Sequence, residues 1–183
     1  MIEYLKRLDP KPQYITFSGN GEPTLHPDFE EIVERVIKVR DTYCKQARIA
    51  LLSNSTGLGS PRVRAAIARI DLPIMKLDAG NDEVLRRINR PAPGITARGL
   101  VESLKMIGHF TMQSVFVDGE VTNADPSSLK DWFEAVAEIR PDCVQVYSLE
   151  NAPAMSGLKA LSCERLEEIA ERLRSLGIEA QTF

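Results

Sequence analysis

The chain has 183 residues, 43% of them hydrophobic and 27% charged, with a formal net charge of −3. That is enough for one ordinary globular domain with its own core, spanning 1–183. The acidic balance excludes the basic footprint of non-specific nucleic-acid binding. No apolar run reaches membrane-spanning length and the N-terminus MIEYLKRLDP has no signal-peptide core, so a cytoplasmic protein is expected.

Residues 1–13 read as the end of a helix. The first strand is Tyr14–Phe17, and it runs into the loop Ser18-Gly19-Asn20-Gly21-Glu22-Pro23-Thr24. Glycines let a backbone approach a ligand closely or adopt positive φ, and Glu22 adds a fixed negative charge that can accept hydrogen bonds from an ammonium group. A tight turn with a solvated carboxylate is the plainer alternative. Phe29, Ile32, Val33, Val36 and Ile37 then repeat with the spacing of one helix face.

A second apolar run, Ile49–Leu52, ends in Ser53-Asn54-Ser55-Thr56-Gly57, four small hydrogen-bonding side chains in succession. Ser60-Pro61 starts a helix carrying Val63, Ala66, Ile67 and Ile70. The third run, Pro73–Leu77, continues to Asp78 and Gly80. Strand alternation puts Lys76 and Asp78 on one face, where they form either an internal ion pair or a ligand contact. Leu100, Leu104 and Ile107 make a weaker helical stripe.

The fourth run is Ser114–Val117, followed by Asp118. Asp125-Pro126 caps a helix bearing Leu129, Trp132, Phe133, Val136 and Ala137. The fifth run, Cys143–Leu149, continues to Glu150 and Asn151. Ser162 caps a helix with Leu166, Ile169, Ala170 and Leu173, Gly177 ends it, and Ile178–Phe183 is the last strand.

Short, apolar, often β-branched strands alternating with amphipathic helices predict a parallel α/β sheet, doubly wound or curved into a barrel. In either form a ligand site lies at the carboxyl ends of the strands. Five successive strands deliver polar groups there, a convergence that outweighs any single motif.

Cys44, Cys143 and Cys163 are odd in number and scattered, so they are expected to be incidental thiols. His26 and His109 have no partner at metal-ligand spacing. No nucleophile elbow or Walker loop is visible.

In this order the segments ITFSGNGEPTLHPDF, LLSNSTGL, IMKLDAGNDEVLRRINRP, SVFVDG…N and VQVYSLENAPA resemble the radical S-adenosylmethionine (SAM) superfamily. The resemblance is nearest to the branch of iron–sulfur oxidoreductases similar to wyosine-synthesis enzymes, and it runs from about Tyr14 to the C-terminus. It implies a partial (β/α)6 TIM-like barrel that binds S-adenosylmethionine across its mouth. Gly19, Asn20, Gly21, Glu22 and Pro23 would form the cofactor loop, with Gly21 and Glu22 on the methionine ammonium. Ser53 and Asn54 would stand near the methionine or ribose, Lys76 and Asp78 would contact the carboxylate and ribose, and Asp118 would add a further cofactor-binding acceptor.

In the family a [4Fe-4S] cluster on a C-x-x-x-C-x-x-C motif reduces the sulfonium and releases a 5′-deoxyadenosyl radical. That motif stands upstream of the glycine loop and is absent from this sequence. The resemblance therefore implies a chain without the first strand and cluster loop, with no cluster, no catalytic residue and no metal ligand assigned. It also leaves the Tyr14–Phe17 strand as an exposed edge, which predicts pairing with a second copy. The alternatives are a non-catalytic protein-interaction domain that inherited the fold, and an ordinary α/β enzyme for a phosphorylated substrate. The last is weakest, because no glycine-rich loop opens a helix for phosphate.

Overall fold

The computed structural model describes residues 2–149 and 157–183. They fall into two compact units, Met1–Met75 and Lys76–Phe183. The acceptors expected at Glu150 and Asn151 lie outside the described residues.

The first unit opens with helix α1 (Ile2–Arg7), the helix end expected from the sequence. Its Leu5 packs with Cys44 and Ala47, against Leu8, Ile15, Val39 and Tyr43. Strands β1 (Tyr14–Phe17), β2 (Arg48–Ser53) and β3 (Leu72–Lys76) follow, the last contributing all but Lys76 to this unit. β1 pairs in parallel with β2, and β2 with β3. Parallel neighbours cannot be joined by a tight turn, so helices cross between them. These are α2 (Phe29–Tyr43) and α3 (Pro61–Ile67).

α2 buries Phe29, Val33 and Val36 at i, i+4 and i+7, and places Glu30 and Glu31 in its first turn, where the helix dipole favours acid. Ser60 caps α3 by accepting from the Val63 N–H at 3.5 Å. β1 is the edge of its row, and its Tyr14 is 47% exposed.

The second unit holds β4 (Thr111–Val115), β6 (Cys143–Tyr147) and β8 (Ala180–Thr182), with β4 pairing in parallel with β6 and β6 with β8. The run expected at Ser114–Val117 is divided. β4 stops at Val115, and β5 (Val117–Gly119) pairs antiparallel with β7 (Leu158–Ala160).

Four helices complete the unit: α4 (Asp82–Asn89), α5 (Ala97–Leu104), α6 (Pro126–Ile139) and α7 (Cys163–Ser175). Asn81 and Thr96 cap α4 and α5, and Ser162 caps α7. Gly177 follows the end of α7 at φ 75°, a left-handed position that glycine occupies without a Cβ clash.

Trp132, 1% exposed, is the packing centre of this unit. Its ring meets Phe116 edge-on at 4.9 Å and Phe133 at 5.2 Å, and its Nε1 donates to the Leu77 carbonyl at 3.0 Å. Each edge-to-face pair adds about 1 kcal/mol beyond the area it buries.

Asp125 begins α6 by accepting from the Ser127 and Ser128 N–H groups at 3.0 and 3.1 Å. The Ser128 hydroxyl, with those N–H groups, holds its carboxyl below the ordinary 3.8 despite partial burial. Asp125→Ala is expected to lower stability at pH 7 by about 1 kcal/mol. Because the folded-state pKa is depressed, this contribution is present above pH 3.8 and is lost as pH falls through the lower folded value. Urea unfolding of both proteins between pH 7 and pH 2 should show the gap closing; a constant gap would remove the ionised cap from the account.

Candidate functional site

In the first unit the carboxyl ends of β1 and β2 are joined by one side chain, Glu22. Its Oε1 accepts from the Thr24 N–H (3.1 Å), the Thr24 hydroxyl (2.5 Å) and the Ser53 hydroxyl (2.7 Å), and its Oε2 accepts from the Asn54 N–H at 2.6 Å. The Pro23–Leu25 turn is a single 3-10 turn with Glu22 as its N-cap. The sequence follows from this. Thr24 supplies two donors, Ser53 a third, and Gly57 stands where a Cβ would lie 2.1 Å from Thr24 Oγ1, so only glycine fits.

The strand-end loop after β2 is folded on itself in the same way. Ser53 Oγ accepts from the Ser55 N–H at 3.1 Å, and Asn54 Oδ1 from the Thr56 N–H at 3.0 Å and hydroxyl at 2.6 Å.

The four donors fall unevenly on the carboxylate. Each oxygen of an ionised carboxylate has two lone pairs; Oε1 takes three donors, and among the described residues Oε2 receives one. Glu22 also lines an open recess of about 450 Å³ with Thr16, Phe17, Gly19, Gly21 and Leu25. Gly19 and Gly21 have no positive φ, and a Cβ on either would meet nothing within 4 Å. The fold does not require glycine at either position; its effect is to leave the loop surface bare.

In the second unit the knot is Asp78, whose side chain has no exposed surface. Oδ1 accepts from the Val115 N–H at 2.9 Å, and Oδ2 from Asn89 Nδ2, with Lys76 Nζ at 3.4 Å. Burial pushes the Asp78 carboxyl above the usual range, opposed by Lys76, the Val115 N–H and Asn89. Burial likewise opposes the Lys76 ammonium, but Asp78 and Tyr147 outweigh it and leave its pKa raised. The two directions pull against each other. Every group facing the carboxylate is a donor, so the site is built for the anion paired with an ammonium.

Lys76 also hydrogen-bonds Tyr147, whose phenol is pushed up by burial and stays neutral at physiological pH. Both line a cavity of about 660 Å³ with Gln113, Val115, Gln145 and Ser148.

The ribose contact that the resemblance gives Asp78 needs an accessible carboxylate, and this one is enclosed by Lys76, Asn89 and Val115. Asp118 is exposed on β5 and, among the described residues, accepts from the Gly119 N–H alone, at 2.8 Å. It does not line the cavity. Asn20 and Ser18 are exposed on the loop, and Pro23 opens the 3-10 turn.

The residues that sequence reasoning did not single out are polar side chains bonded to backbone. Asn123, 1% exposed, donates to the carbonyls of Asp78 (2.9 Å) and Val115 (2.7 Å) and accepts from the Val117 N–H at 2.9 Å. Ser114 donates to the Leu77 carbonyl at 2.5 Å. Nothing in the spacing of Asn123 or Asn89 marks either one, because their bonds, at separations of 6, 8, 45 and 11 residues, follow no helix or strand period.

The three cysteines do not suit a four-iron cluster. Cys44 is buried in the core beside Leu5 and Ala47. Cys143 opens β6 at the end away from Tyr147, and Cys163 is exposed at the start of α7. Among the described residues no three His, Cys, Asp or Glu are grouped to hold a metal ion. None of the described helices is long and apolar enough to cross a membrane.

Parallel strands joined by helices, with charged groups gathered at their carboxyl ends, define an α/β protein. Residues 1–123 match the family model of the Radical SAM superfamily, and the chain belongs to that superfamily. A protein of Brachyspira hyodysenteriae described as GTPase Obg is 28% identical over 159 residues, 85% of this chain and 22% of that protein. The chain spans less than half the length of the curated relatives it matches.

Among solved structures, a domain of pyruvate-formate lyase-activating enzyme from Bacteroides vulgatus shares the fold, with a TM-score of 0.68 and 18% identity. The match covers 92% of this chain and 98% of that one. TYW1 with a lysine-pyruvate adduct bound gives a TM-score of 0.64 at 16% identity, over 90% of this chain and 51% of the other. At these identities the likeness shows the fold alone.

Asn123→Ala would leave two carbonyls and the Val117 N–H without their partner in a buried setting. It is expected to cost about 2–4 kcal/mol, measured by chemical unfolding. A loss under about 0.5 kcal/mol would mean that solvent replaces the amide without penalty.

Proposed function

We propose that this chain binds S-adenosylmethionine at the carboxyl ends of its strands, with Glu22 accepting from the methionine ammonium. Superfamily membership supports the cofactor. The observation that carries the assignment is Glu22 itself. Its carboxylate is held by Thr24, Ser53 and Asn54, keeps an open acceptor position on Oε2, and faces a recess floored by two glycines that the fold does not require. Such a fixed anion needs little reorganisation to receive a cation.

In this reading Ser53 and Asn54 orient Glu22 rather than touch the ribose, and Asp78 is a positioning residue that holds Lys76 through their ion pair. Bound S-adenosylmethionine supplies an activated sulfonium. The cysteines of this chain do not fit the cluster that would reduce it, and no radical step is assigned to these residues.

Isothermal titration of the chain with S-adenosylmethionine should give saturable binding. Glu22→Gln keeps the side-chain shape and removes the charge, and should weaken binding by about 10- to 100-fold, the range for a charge-assisted hydrogen bond. Wild-type affinity in this variant would overturn the assignment. Anaerobic reconstitution with iron and sulfide should leave the chain without a stoichiometric four-iron cluster, checked by iron analysis and visible absorption.

A further inference from the structure

Strands β4 and β6 carry an amide pair that neither the fold nor the cofactor reading uses. Gln113 and Gln145 are direct partners in the parallel register, and Gln113 Nε2 donates to Gln145 Oε1 at 3.2 Å. Both line the 660 Å³ cavity.

On the opposite faces of the same strands, Met112, Ser114, Val144 and Val146 are completely buried. The cavity face therefore carries glutamine where an enclosed parallel strand would ordinarily carry Val or Ile.

Two amides have between them two carbonyl oxygens and two NH2 groups. One mutual hydrogen bond leaves the Gln113 carbonyl and the Gln145 NH2 with no side-chain or backbone partner among the described residues. Among the described residues no buried side-chain nitrogen or oxygen lacks a partner, so these two groups open onto the cavity. The inverse turn of both amides would leave the same pair, one acceptor and one donor. Around them stand Val115, Leu149, Tyr147 and Phe183, with the Lys76 ammonium and Ser148 also on the wall, so that apolar and aromatic surface meets a few polar groups as in a small-molecule site.

We propose that the Gln113–Gln145 pair is a recognition subsite for a small planar group that presents a hydrogen-bond donor beside an acceptor, as a lactam does. Gln113 accepts from the ligand N–H, and Gln145 donates to the ligand carbonyl. Tyr147 and Phe183 offer their rings to its faces. The binding stands on the cavity alone; its use as a substrate subsite rests on the S-adenosylmethionine reading above.

The test titrates 15N-labelled full chain with 2-pyridone, which carries the adjacent N–H and C=O, and with N-methyl-2-pyridone, which has lost the donor. The side-chain NH2 resonances are assigned with Gln113→Glu and Gln145→Glu, which keep side-chain length. 2-Pyridone should shift both resonances along a saturable curve, and N-methyl-2-pyridone should bind at least about tenfold more weakly. Gln145→Glu, which replaces the donor by an acceptor, should weaken 2-pyridone by a similar factor in a chain whose backbone spectrum is unchanged.

Equal binding of the two compounds, no shift at either glutamine, or unaltered affinity in both variants would overturn the subsite. The same samples titrated with S-adenosylmethionine separate the two claims. Lactam binding without cofactor binding keeps the subsite and sinks the cofactor reading, and the reverse result sinks only the subsite.

Discussion

A parallel strand that stops leaves backbone N–H and C=O groups beyond the last rung of its ladder, and these must find partners or stay in water. Each unit of this protein meets that constraint with one carboxylate. Glu22 takes the Thr24 and Asn54 N–H groups and two hydroxyls in the first unit. Asp78 takes the Val115 N–H, the Asn89 amide and the Lys76 ammonium in the second. The neighbouring choices follow from these two: a threonine and a serine beside Glu22, a glycine at 57 so that Thr24 can close in, and an asparagine at 123 whose NH2 donates to carbonyls that a carboxylate, itself an acceptor, cannot satisfy.

Structural need and ligand binding compete for the same lone pairs, and counting them separates the two carboxylates. Asp78 is enclosed, and what it presents to the cavity is the ammonium it holds. Glu22 is half-buried, has an oxygen with one protein donor, and borders an open recess. A charged group can serve a ligand only where the fold has left it surface and an unused acceptor. By that measure Glu22 has surface to offer and Asp78 has none.

Much of the scaffold was legible because it is written in local chemistry. Tyr14–Phe17 is a strand to the residue, and Ser60, Asp125 and Ser162 cap the helices that their positions announced. The Phe29–Val36 stripe is buried as its period requires. The division of the fourth run at Phe116 was not legible. What ends β4 is Asn123, whose side chain takes the Val115 carbonyl and the Val117 N–H, and a contact across eight residues of loop has no period. The site was half legible for a similar reason. Spacing put Lys76 and Asp78 on one face, but it could not tell an enclosed carboxylate from an open one.

The strands of the second unit show where pattern reading stops being informative. Apolar runs in a parallel sheet are ordinarily covered on both faces, and one face is covered here: Met112, Ser114, Val144 and Val146 meet no solvent. The other carries Gln113 on β4, and Gln145 and Tyr147 two residues apart on β6. A period-two interruption of this kind ordinarily marks the wet face of an antiparallel sheet. In a parallel sheet both faces are normally closed, so polar side chains recurring on one of them must border something other than a helix. Here they border a cavity, and what that cavity holds is decided by side chains that the rules of folding leave undetermined.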